Sequence, residues 1–251
     1  ALWANGFRAF FLFGTLYGLV AMGAWFAARS GAWTLPATGP GLWHGHEMVY
    51  GFATAIICGL LLTALPSWAG VRELMGRELA LLAALWLAGR AAVWLWEILP
   101  RMLVAAVDGS LLFVLAAMLA PGLLRVSERK FLVVLPVLVA LGACNLAYYA
   151  ALAAGPADDA SRALDAAVGT VAVLYSLVGG FMTPIFTENA LRERAPDLRV
   201  GRNRAVELAA HASAVGFAIV VAVEVPPPLT IGVALTAFVA HALRLAAWRG
   251  W

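Results

Sequence analysis

Residues 43–68 read WHGHEMVYGFATAIICGLLLTALPSW. From Met48 onward the run is almost entirely apolar or small, over about the 20 residues a helix needs to cross hydrocarbon. Just before it, His44, His46 and Glu47 put two imidazoles and a carboxylate at one end of the same segment. The stretch therefore predicts a transmembrane helix with an unusual polar entrance.

Working outward, comparable apolar segments cover 9–28, 46–66, 78–98, 102–121, 130–152, 163–186, 204–224 and 229–247. Turn signals such as LPATGPG, GPADD and VPPP separate them, and no loop is long enough for a soluble domain. They predict an all-α, polytopic transmembrane helix bundle of about eight spans, with residues 1–251 as one domain. Composition agrees. Hydrophobic residues make up 63% and charged residues 12% of the 251, where soluble domains run near half and about a quarter. The net charge of +3 then reports topology rather than nucleic-acid binding.

With the N-terminus in the cytoplasm, thirteen of the seventeen basic residues fall in cytoplasmic segments, Arg244 at the C-terminus among them, and Arg29, Arg101 and Arg162 face the other side. Basic residues concentrate on the cytoplasmic side of membrane proteins, so both termini are expected there. Trp43 and Trp96 near the outer ends, and Trp3, Trp68 and Trp248 near the inner ones, suit interfacial anchoring. Cys58 and Cys144 lie inside apolar runs and read as small buried residues rather than a disulfide.

Titratable residues inside a span are costly, so they face the bundle and find partners. Arg90 and Asp108 lie at nearly the same depth in two consecutive spans, which predicts a structural ion pair. His44 and Glu47 share a face if a helix already includes them, three residues apart. If the helix begins near Glu47, His44 and His46 instead alternate onto one side of an extended lead-in. Either arrangement offers imidazole to copper or haem iron, with Glu47 beside it. The plainer reading leaves the histidines wet at the interface. Asp165, Glu97 and Glu224 fall at the same outer level. His211 and His241, at matching depth in the last two spans, read either as axial haem ligands or as core histidines, with Glu207 a partner for His211. Gly179, Gly180 and Pro184 mark a span expected to pack closely and to kink. No P-loop, HExxH or GxSxG occurs, and no catalytic residue is assigned.

Several segments together resemble the NnrS family: GFRAFFLFGTLYGLVAMGAW (6–25), the 43–68 run, ALWLAGR (84–90), LVGGFMTPIFTENAL (177–191) and HALRLAAWRGW (241–251). The resemblance implies a multi-pass protein of the bacterial inner membrane that carries haem b, copper or both and serves the response to nitric oxide. Nitric oxide would be its ligand. It makes His44, His46 and Glu47 the leading metal candidates, with His211 and His241 as cofactor candidates. Family members typically have about twelve spans where this chain shows eight apolar segments, so the resemblance also implies a fragment or a short relative. Two other functions remain open: an accessory subunit bound within a larger membrane redox complex, and a small-molecule or metal transporter.

Overall fold

A computed structural model describes residues 2–35, 39–127, 129–155, 157–194, 200–223 and 225–248. Among these the chain is all α-helical, with no strand. Its helices are α1 (Gly6–Arg29), α2 (Pro40–Ala69), α3 (Arg77–Trp94), α4 (Arg101–Leu123), α5 (Val134–Ala154), α6 (Ala157–Arg194), α7 (Arg204–Ala222) and α8 (Pro227–Trp248). Seven are long and apolar enough to cross a membrane. The exception is α3, whose 18 residues include Arg77, Glu78 and Arg90. At 1.5 Å per residue it still covers about 27 Å, and its one charge away from the end, Arg90, is buried and paired. The molecule is a multi-pass membrane helical protein.

The helices form where the sequence allows. Asn5 caps α1 by accepting from the Phe7 backbone N–H, and Asn203 caps α7 by accepting from Ala205. Pro40 opens α2 at a position where its missing N–H costs nothing. Gly70 closes α2 in the left-handed conformation, with φ of 66°. Pro184 lies inside α6, which stays helical from Ala157 to Arg194.

The chain forms two compact units, Ala1–Leu164 and Asp165–Trp251, with α6 running from the first into the second. In the first unit α1 packs on α2, α3 on α4, and α4 on α5. The α1–α2 seam is close because it is built on glycine. A Cβ at Gly14 would come within 2.8 Å of the Ala55 Cβ, and one at Gly18 within 2.9 Å of the Phe52 ring. Without a hydrophobic drive between helices in lipid, such close van der Waals packing holds spans together. The core is aliphatic, with Leu61, Leu65, Leu79, Leu115, Leu138 and Leu141 fully buried around Trp43 and Trp86. In the second unit α7 packs along α8. Neither Cys58 nor Cys144 is in a disulfide.

α2 is not a uniform α-helix. Residues Glu47–Ala53 form a π-helical turn, closed by the Thr54 N–H donating to the Val49 carbonyl, five residues back. The Thr54 hydroxyl donates to the same carbonyl at 2.9 Å. Such wide turns are rare and concentrate at functional places.

Candidate functional site

The first unit holds a closed polar network deep among apolar side chains. Its centre is Glu47, wholly buried, whose carboxylate accepts from Arg90 Nη1 at 2.7 Å on each oxygen. The Tyr17 hydroxyl also donates to Glu47, and itself accepts from Trp94 Nε1 at 3.1 Å. Arg90 Nη2 reaches Asp108. Asp108 Oδ2 accepts from Asn145 Nδ2 at 2.9 Å and from the Tyr149 hydroxyl at 2.8 Å. His46 closes the circuit, with Nδ1 2.8 Å from Glu47 Oε1 and Nε2 3.0 Å from Asn145 Oδ1 and 3.2 Å from Asp108 Oδ2. Its ring stacks on Tyr148 with centroids 4.7 Å apart.

Five helices supply this network, α1 through α5. The ion pair of Arg90 with Asp108 is present, but Arg90 is shared: Glu47 is its second anion. A glycine makes the approach possible. A Cβ at Gly89 would sit 2.9 Å from Asp108 Oδ1 and 3.2 Å from its Cα, so α4 could not come as near with any larger residue. Tyr17, Asn145 and Tyr149 escaped the sequence reading because neutral polar residues in a span are common and none forms a local motif.

Of the two arrangements the spacing allows, the helix does already include His44, which excludes the extended lead-in, but His44 and Glu47 do not pair. His44 stacks on Trp25 at 4.5 Å, while its neighbour His46 joins Glu47. The α geometry does reach Glu47, whose N–H donates to the Trp43 and His44 carbonyls, yet the His44 ring turns to Trp25. Trp43 and Trp96 line a void beside His46, buried rather than set at the interface. Asp165 is exposed and takes no part, and Glu97 is exposed as well. Glu224 lies outside the described residues.

This donor set does not fit a metal ion. Both ring nitrogens of His46 face oxygen atoms, and Glu47 already takes two N–H bonds from Arg90 and one O–H bond from Tyr17. A dication would also meet the Arg90 guanidinium at contact distance. Among the described residues, no three His, Cys, Asp or Glu side chains converge on a metal position.

The second unit has a polar centre of its own around Arg244, which is 1% exposed. Its Nε donates to Glu207 Oε2 at 2.8 Å, Nη1 to the Ser176 carbonyl at 2.9 Å, and Nη2 lies 3.0 Å from His211 Nε2. Its guanidinium covers the Trp248 ring at 4.7 Å. Arg244 is therefore an interior residue and not a cytoplasmic loop charge, although the basic asymmetry survives without it. Glu207 pairs with Arg244 rather than with His211. Trp248 donates to Glu207 at 3.2 Å instead of anchoring the interface. Gly180 is what admits the guanidinium: a Cβ there would fall on Arg244 Nη2.

Beside this centre α6, α7 and α8 enclose an open groove of about 480 Å³, lined by Gly179, Ala214, Phe217, Ala237, His241 and Arg244 among others. Volumes of roughly 300–1,000 Å³ are typical of cofactor sites. His211 is not among the residues lining the groove, and its Nε2 already lies 3.0 Å from Arg244 Nη2, so it does not serve there as one of two axial ligands. His241 lines the groove with its ring. An imidazole nitrogen facing the groove can meet a metal.

The family model described as NnrS protein matches residues 1–251. The chain belongs to the NnrS family. Its match runs through both units, so the Glu47–Arg90–Asp108 network and the Arg244 centre both belong to the NnrS chain. No curated protein and no solved structure is significantly similar to it.

Proposed function

We propose that this NnrS chain is a haem- or copper-bearing protein of the bacterial inner membrane that serves the response to nitric oxide, with the group seated in the groove of α6, α7 and α8. The observation that carries the reading is the groove with His241 on its wall, in the size range of cofactor sites. The bound iron or copper would supply direct binding of nitric oxide. The chain's own part is to hold and shape. His241 would provide one ring nitrogen from the groove wall. Arg244, held by Glu207 and Ser176, would place a fixed positive charge beside an anionic edge of the group. Gly179, where a Cβ would meet nothing within 4 Å, leaves the groove wall open. The apolar remainder would keep bulk water away.

The test is a metal and pigment analysis of full-length protein purified from cells supplied with haem and copper. The expected result is an absorption band or stoichiometric copper in the wild type, lost in His241→Ala and kept in His44→Ala. A colourless, metal-free wild type, or a His241→Ala variant that retains the group, overturns the reading.

One observation favours a second reading, an accessory subunit of a larger membrane redox complex. The network in the first unit joins its carboxylates to Arg90 and His46 and offers no coordination position, as structural glue would. Constant-stoichiometry co-purification with a larger complex, with no metal in this chain, would favour it.

A further inference from the structure

The buried network in the first unit has a charge problem that its geometry answers. Glu47 and Asp108 carry two negative charges at neutral pH, and Arg90 supplies one positive charge. An unbalanced ion inside a span is expensive. The remaining group at the centre is His46, 1% exposed. Its hydrogen-bond partners indicate where its hydrogens sit. Asn145 donates through Nδ2 to Asp108, so its Oδ1 is the atom 3.0 Å from His46 Nε2, and an amide oxygen only accepts. Nε2 must therefore carry hydrogen. Nδ1 lies 2.8 Å from an oxygen of Glu47 that also accepts from Arg90, so Nδ1 is a donor as well. A ring that donates from both nitrogens is an imidazolium. With it the cluster sums to zero.

A second observation concerns access. A void of about 10 Å³ touches His46 and is lined by Trp43, Tyr148 and Tyr149. That is about the space one water molecule requires. Trp43 is 1% exposed, and its Nε1–H has no acceptor among the described residues. A water in this void would accept from Trp43 and stand against the imidazole. A second void of the same size touches Asp108 and Asn145 from the other side of the cluster.

We propose that His46, Glu47 and Asp108 form a proton-binding site, holding one exchangeable proton as a His46 imidazolium and reached through the water-sized void beside Trp43. The titratable and charged groups facing it are Tyr17 from α1, Glu47 and Tyr50 from α2, Arg90 from α3, Asp108 from α4, and Tyr148 and Tyr149 from α5, with Cys144 next to Tyr50. The two carboxylates and Arg90 set how many protons the site keeps. The ligand is a single proton, and a divalent metal in its place would leave the cluster overcharged. The site is independent of the groove at His241.

Magic-angle-spinning NMR on the full chain, labelled with 15N-histidine and embedded in lipid bilayers, tests this directly, with His46→Gln identifying the His46 signals. Both His46 ring nitrogens should read as protonated in the wild type. Both N–H signals should fade in deuterated water. In Asp108→Asn one of the two should move to the unprotonated range, because the charge that required the imidazolium has gone. A bare ring nitrogen in the wild type overturns the proposal. So do N–H protons that never exchange, an Asp108→Asn spectrum unchanged from the wild type, or displacement of the His46 signals by added copper(II). Should Asp108→Asn fail to fold, the wild-type spectrum and its exchange still decide.

Discussion

Arg90 Nη1 stands 2.7 Å from both carboxylate oxygens of Glu47, 43 residues earlier in the chain, while Nη2 of the same guanidinium holds Asp108. One cation thus joins α2, α3 and α4. Removing it leaves the two buried carboxylates one positive charge short, a change that costs about 3–5 kcal/mol where one partner of a buried pair is lost. Arg90→Leu should lower the thermal midpoint of detergent-solubilised protein sharply. Arg90→Lys should fall between the two, since an ammonium lacks the fork that spans both carboxylates. A midpoint unchanged in Arg90→Leu would show that the carboxylates are not ionised together.

The π turn of α2 is held by Thr54, 1% exposed, which donates to Val49 through both its backbone and its hydroxyl. Thr54→Val keeps the shape and removes the hydroxyl bond, worth about 1 kcal/mol. The expected outcome is a modest loss of stability together with faster hydrogen exchange at Thr54. Equal exchange in variant and wild type would mean that the hydroxyl does not hold the turn.

Gly179 and Gly180 are adjacent but should respond oppositely. Gly180→Ala puts a methyl group where the Arg244 guanidinium lies. Driving Arg244 out would cost its bonds to Ser176 and Glu207, about 2–3 kcal/mol by the scale of charged hydrogen bonds. Gly179→Ala meets nothing within 4 Å and should stay within about 1 kcal/mol of the wild type, the propensity difference between the two residues. Thermal unfolding of the two variants side by side checks this, and equal stabilities would contradict the role given to Gly180.

The basic residues predict which loops face the cytoplasm. In intact cells a membrane-impermeant thiol reagent should label a cysteine introduced at Ser30, an exposed residue just after α1. It should spare one at Arg125 until the cells are opened. The native Cys58 and Cys144 lie within α2 and α5 and should stay unlabelled. The reverse pattern would invert the assigned orientation.

Helical spans were legible because each declares itself locally: about 20 apolar residues can cross a membrane only with their backbone bonds made within the segment. The Arg90–Asp108 pair was legible for a related reason, since a short loop between consecutive spans fixes relative depth. The location of the polar network in α2 was legible too, in the density of His44, His46 and Glu47 within one segment.

The sequence by itself determined a helical membrane protein of the NnrS family and the segments that carry its charges. Tertiary structure alone decided which charges meet. His46 rather than His44 joins Glu47, although His44 has the helical spacing, and the His44 ring stacks on Trp25 instead. Tyr17, Asn145 and Tyr149 enter the site from helices far apart in sequence, and Arg244 turns inward only because Gly180 leaves it room. Partners for a buried charge are chosen by depth and helix rotation, which depend on the whole bundle and leave no mark in any one segment.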